Sequence, residues 1–133
     1  MVKNFLKNQL KYWLVVYFYS GLIFYFSSKP FGVVKESVSG YGLPFYPLVY
    51  HFLEYAVLSL LLYRALINSK FKNKCLLVII IGILYGISDE VHQFFIPGRT
   101  FDLLDIMMNS FGIVFIMLII KMRNYINKNN FLK

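Results

Sequence analysis

The chain has 133 residues, 59% of them hydrophobic and 15% charged, with a mean hydropathy of +0.61, which is too apolar for an ordinary soluble domain and makes a lipid bilayer the expected solvent. Its single cysteine, Cys75, excludes an internal disulfide and a cysteine-based zinc motif, so redox chemistry is not expected. The net charge of +8 sits in lysines and arginines at the ends of apolar runs and not in a continuous stripe, which argues against nucleic acid as a partner and reads as topology signalling.

In chain order, a polar arm with Lys3, Lys7 and Lys11 precedes an apolar run from residue 12 to about 28, just long enough to span a bilayer at roughly 1.5 Å per residue. No small-residue cleavage site follows it, so a retained first helix is expected over a signal peptide. Residues 29–47 carry Lys29, Pro30, Gly32, Gly40, Gly42, Pro44 and Pro47, turn chemistry that predicts an irregular outer loop with Tyr41, Phe45 and Tyr46 at the membrane interface. A second span is expected over 48–66, with His51 and Glu54 near its start and Arg64 near its end. After a basic linker with Lys70, Lys72 and Lys74, a third span is expected over 75–95, apolar at first and polar in its last turns. The tetrapeptide Ile96-Pro97-Gly98-Arg99 predicts a type II turn, with proline at its second position and glycine where φ is positive. A fourth span over 101–120 and a basic tail complete the chain.

Lys3, Lys7, Lys11, Arg64, Lys70, Lys72, Lys74, Lys121, Arg123, Lys128 and Lys133 fall on one side of this arrangement, against Lys29, Lys35 and Arg99 on the other. The positive-inside rule then puts both termini in the cytoplasm. The expected fold is all-α: an integral membrane protein whose single domain over 1–133 is a compact bundle of four transmembrane helices.

Between Gly82 and Gly112 lie Ser88, Asp89, Glu90, His92, Gln93, Arg99, Asp102, Asp105 and Asn109, holding four of the six carboxylates of the chain. At 100° per residue Gly82, Gly86, Asp89 and Gln93 share one helix face, with Tyr85 and His92 on one flank and Glu90 on the other. Gly82 and Gly86 form a G-x-x-x-G that admits a close neighbour. Asp102, Asp105, Asn109 and Gly112 share a face of the fourth helix, and His51, Glu54 and Tyr55 cluster on the second. A charge at membrane depth costs several kcal/mol, so these faces are expected to turn inward around a conical polar pocket open to the outer leaflet.

The pattern HFLEY at 51–55, YGISDEVHQFFIPGR at 85–99 and D-x-x-D-x-x-x-N-x-x-G from Asp102 to Gly112 closely resembles the VanZ-like family of small bacterial membrane proteins, over about residues 47–118. The resemblance implies a multi-pass protein of the bacterial cell membrane, associated through the founding member with low-level resistance to the glycopeptide teicoplanin. Pro47 and Leu48 stand where the family commonly has an acidic or Asn residue and a Lys. A charged partner of the site is then absent or supplied by Lys35 or Lys29.

The residues themselves support an enzyme or binding site for a lipid-linked envelope component. Asp89 or Glu90 is the candidate general acid or base and His51 or His92 the second proton carrier. Arg99, with its planar fork, is the candidate clamp for a phosphate or carboxylate, and Gln93, Asp105, Asn109 and Tyr55 are candidate substrate-binding or orienting groups. No cofactor is expected. The pairs His51 with Glu54, Asp89 with His92 and Asp102 with Asp105 are spaced to share a divalent metal, but such pairs are common and no metal ligand is assigned. Membrane lipid, including a lipid-linked cell-wall precursor, is the expected partner, and no oligomeric state is legible. The structural alternative makes Asp102 or Thr100 a helix cap and Asp105 a first-turn acid, pairs Arg99 with Glu90 or Asp102, and pairs His51 with Glu54. A non-enzymatic binder of lipid or of a membrane partner is the second functional class. A transporter has little support, since no inverted repeat is visible.

Overall fold

The computed structural model describes residues 2–30 and 46–130. Most of the expected outer loop, with Lys35, Tyr41 and Phe45, lies outside the described residues. Four α-helices make up the rest: α1 (Val2–Ser27), α2 (Tyr46–Leu66), α3 (Lys74–Phe94) and α4 (Leu103–Asn130), with no strand among the described residues.

Three of these helices are long and apolar enough to cross a membrane: Pro47–Leu66, Lys74–Phe94 and Leu103–Asn130. The 21 residues of α3 extend about 31 Å, close to the roughly 30 Å of a hydrocarbon core. α1 is not among them; Lys11, Tyr12, Tyr17, Tyr19 and Tyr25 dilute its apolar content. Large apolar side chains such as Leu84, Phe94, Met107 and Phe111 point away from the bundle, as expected where lipid and not water covers the outer faces.

Local sequence sets the helix ends. Asn73 caps α3, its side chain accepting the Leu76 N–H at 3.2 Å. At the far end Phe95 N–H donates to His92 O and Ile96 N–H to Gln93 O. The chain then reverses through Ile96-Pro97-Gly98-Arg99, closed by Arg99 N–H to Ile96 O at 3.0 Å with Gly98 at φ 77°, the proline and glycine standing where a type II turn wants them. Asp102 caps α4, accepting Leu104 N–H at 2.8 Å on Oδ1, and Asp105 is the acid of its first turn. α4 runs to Asn130, beyond the expected end of the span near 120, because the basic tail breaks the hydropathy but not the helix.

α2 is the central helix: it packs on α1, α3 and α4, and its interface with α4 is the most extensive. α3 also packs on α4, while α1 lies against α2 and, lightly, α3. Small residues permit this. A Cβ on Gly112 would collide with the Phe52 carbonyl and come within 3.2 Å of Ala56 N, so α4 crosses α2 backbone to backbone. Gly82 receives Ile113, and Gly86 receives Tyr55 and Asn109, so the G-x-x-x-G face turns toward α2 and α4. The apolar core beneath consists of Leu58, Leu62, Ala65, Leu66, Val78, Ile113 and Met117, with Val16 and Ile23 from α1.

Candidate functional site

The end of α1, the start of α2, the end of α3 and the start of α4 meet at one end of the bundle, and the polar residues meet there with them. Asp89 (3% exposed), Glu90 (0%), Gln93 (2%) and Asn109 (1%) are buried, as is His51. Charged groups this deep persist only where partners hold them.

Gln93 is the hub on α3. Its Nε2 donates to Asp89 Oδ2 at 3.0 Å and to Glu90 Oε1 at 3.1 Å, and its Oε1 accepts from Arg99 Nη1 at 3.0 Å. Asp89 Oδ2 also accepts from Ser27 Oγ at 2.9 Å, which ties α3 to the end of α1. Glu90 Oε2 accepts the Asp102 N–H at 3.2 Å and so anchors the start of α4. His51 bridges α2 and α4: its Nδ1 lies 3.1 Å from Asn109 Oδ1, and its Nε2 lies 3.4 Å from Asp105 Oδ2. An amide oxygen only accepts, so Nδ1 carries the proton that faces it. The Asp105 side chain is 19% exposed and forms the accessible edge of the cluster.

Several sequence-based expectations are corrected. Arg99 pairs with neither Glu90 nor Asp102. Besides Gln93 it donates to two backbone carbonyls at the end of α1, Lys29 O from Nε at 3.2 Å and Phe26 O from Nη2 at 3.4 Å, because the negative end of the helix dipole attracts a cation; Phe26 O also accepts the Lys29 N–H at 3.1 Å. His51 does not pair with Glu54, whose Oε1 accepts from Tyr50 OH at 3.0 Å. His92 engages the end of α1 and hydrogen-bonds no carboxylate among the described residues: it stacks on Phe24 at 4.2 Å between centroids and shares a hydrogen bond with Ser28 Oγ at 2.9 Å. Lys29 does not supply the cluster with charge, its Nζ lying 4.1 Å from the centre of the Tyr25 ring. Among the described residues the His-and-carboxylate group that brings three ligand atoms together draws on three helices and not on the i, i+3 pairs: His51, Glu90 and Asp105, with one ligand atom of each within 4.8 Å of the others.

Ser27 and Ser28 are site neighbours that sequence reasoning missed. The only signal was their position, since the end of α1 had to fall on the side of the bundle where the carboxylates lie. Tyr55 is fully buried beneath the cluster. Tyr55 OH, Asp89 Oδ1 and Asn109 Nδ2 are buried with no hydrogen-bond partner among the described residues, and such atoms normally find one.

An all-α bundle with three helices apolar enough to span a bilayer, and with buried ionisable residues of two helices meeting a partly buried carboxylate of a third at one end, is a helical membrane protein with a polar site within its bundle. A family model described as VanZ/LLP1 matches residues 9–124, and the chain belongs to that family. No curated protein matches the chain, and no solved structure does. The family match takes in α1 as well as the motifs between His51 and Gly112, so the helix that supplies Ser27 and Ser28 is part of the shared unit.

Proposed function

We propose that the cluster is the working site of a multi-pass protein of the bacterial cell membrane, in which all four helices cross, both termini are cytoplasmic and the cluster lies at the outer leaflet. There it binds or modifies a lipid-linked cell-envelope component and so contributes to tolerance of glycopeptides such as teicoplanin. The observation that carries this reading is the convergence of His51, Asp89, Glu90 and Asp105 from three helices, at a depth where each ionisable group is costly and a stable bundle needs none of them. Asp105 forms the accessible edge, with the buried His51 directly behind it, and is the carboxylate best placed to exchange a proton with a bound head group. Glu90 and Asp89 stand behind them as proton reservoir and head-group contacts.

The placement at the outer leaflet rests on the charge bias of the loops, and it agrees with the drug class, since glycopeptides act on envelope precursors outside the membrane. The test is a panel of near-isosteric variants, Glu90→Gln, Asp105→Asn and Asp89→Asn, with His92→Ala as comparison. Each is scored for membrane abundance, melting in detergent and host teicoplanin tolerance. Glu90→Gln and Asp105→Asn are expected to remain abundant and folded while tolerance is lost.

A second reading makes the cluster a structural network. It is favoured by Arg99, which ties Gln93 of α3 to the Phe26 and Lys29 carbonyls at the end of α1, and by Glu90, which holds the start of α4. On that reading the same variants melt early or disappear from the membrane.

A further inference from the structure

Among the described residues the carboxylates of the cluster, Asp89, Glu90 and Asp105, have no direct ion pair with a lysine or arginine; the one such contact is His51 Nε2 to Asp105 Oδ2. Arg99, the nearest cation along the chain, is spent on Gln93 and on the carbonyls of Phe26 and Lys29. With Nδ1–H directed at Asn109 Oδ1, the Nε2 of a neutral His51 presents a lone pair to the Asp105 carboxylate. Two acceptors facing each other in a buried site need a proton or a metal ion between them.

From this geometry we infer that His51 Nε2, Glu90 and Asp105 bind one divalent transition-metal ion, of the zinc or manganese type. The inference rests on the reading of the cluster as the working site and gives that site its means of holding an anionic head group. The 3.4 Å from His51 Nε2 to Asp105 Oδ2 matches the edge of a tetrahedron with metal–ligand bonds of about 2.1 Å, which is about 3.4 Å. All three ligand atoms fall within 4.8 Å of one another, so a small rotation of the Glu90 side chain completes the set. One imidazole with two carboxylates selects zinc or manganese over calcium and magnesium, which favour all-oxygen shells.

Two further observations concern the shell around the ion. Asn109, 1% exposed, fixes the His51 ring by its outer nitrogen as outer-shell groups do in metal sites, and its Nδ2 is left without a partner, as is Asp89 Oδ1. Three ligands leave a coordination position free. On the accessible Asp105 edge that position admits a phosphate or carboxylate of the substrate, which the bare carboxylates would repel.

The test uses the full chain in detergent, stripped with a chelator and titrated with Co²⁺, whose visible absorption reports coordination, with Zn²⁺ as competitor and melting followed throughout. The wild-type chain is expected to bind one equivalent and to melt later when loaded. Asn109→Ala should weaken binding by about 10- to 100-fold, and Asp105→Asn should lose it. His51→Cys should retain Co²⁺ and add a thiolate-to-metal charge-transfer band that the wild-type chain, with Cys75 alone, does not show. That variant keeps the inference falsifiable even where His51→Ala does not fold. Absence of Co²⁺ binding by a wild-type chain that melts cooperatively overturns the inference, as does a folded His51→Cys chain without the new band. Teicoplanin tolerance, measured in parallel, separates the two readings: tolerance that depends on Asp105 in a chain without metal overturns the metal and leaves the working site. Metal bound at His51 with tolerance indifferent to its loss upholds the metal and overturns the proposed function.

Discussion

Gly112 lacks a side chain because the Phe52 carbonyl of the neighbouring helix occupies the place a Cβ would take, and backbone cannot step aside as a side chain can. Gly112→Ala is therefore expected to cost about 1–3 kcal/mol through overpacking, read as an earlier melt in detergent. Gly21 has nothing within 4 Å of its Cβ position, so Gly21→Ala should hold or gain up to about 1 kcal/mol from helix propensity. Equal losses at both positions would show that close approach of α2 and α4 is not what the glycine at 112 serves. Tyr55 separates packing from chemistry in a similar way. Its ring fills the space beneath Gly86 while its hydroxyl is buried without a partner, and leaving such a group unpaired costs about 1–3 kcal/mol. Tyr55→Phe should thus melt no earlier than the wild type. If the hydroxyl meets substrate, tolerance to teicoplanin falls in a chain that is at least as stable; unchanged tolerance would remove Tyr55 from the site.

At the scale of the elements, Arg99 does for the end of α1 what a helix cap does for a start, since from a turn that follows α3 it donates to the Lys29 carbonyl and, beside the Lys29 N–H, to the Phe26 carbonyl. Removing it should loosen the end of α1. Arg99→Ala is expected to speed amide hydrogen exchange around residues 27–30 while α2 and α4 keep their protection, and Arg99→Lys should rescue little, because a single ammonium cannot reach both carbonyls and Gln93 as the planar fork does. Exchange that quickens throughout the bundle would instead make Arg99 part of the common core. This contact also marks where the sequence stops being legible. The Asp102 cap, the first-turn Asp105 and the Pro97-Gly98 turn depend on neighbours within four residues, and their chemistry is written beside them. Ser27 to Asp89 and Ser28 to His92 join residues 62 and 64 positions apart, and only the packing of α1 on α3 brings them together. The partners of His51 are hidden for the same reason: the sequence displays its i, i+3 neighbour Glu54, whereas Asn109 and Asp105 come from another helix.

For the whole molecule, hydropathy summed over some twenty residues identifies α2, α3 and α4 as helices able to cross, because each sum is dominated by aliphatic side chains. α1, rich in tyrosine, gives no such sum, and whether it crosses decides the side on which the amino terminus lies. The orientation can be tested in a Cys75→Ala background with a membrane-impermeant thiol reagent on intact cells. Thr100 and Asn68 are both exposed, at opposite ends of α3, so Thr100→Cys should label on intact cells and Asn68→Cys only after permeabilisation. Lys3→Cys should behave as Asn68→Cys does if α1 crosses, and as Thr100→Cys does if it lies along the outer surface. The reverse pattern for Thr100 and Asn68 would turn the carboxylate cluster toward the cytoplasm, where an extracellular glycopeptide and its envelope target do not meet. The proposed role would then fail, while the buried cluster, the family and the metal inference would stand, because they depend on how the helices meet and not on which face of the membrane they meet beneath.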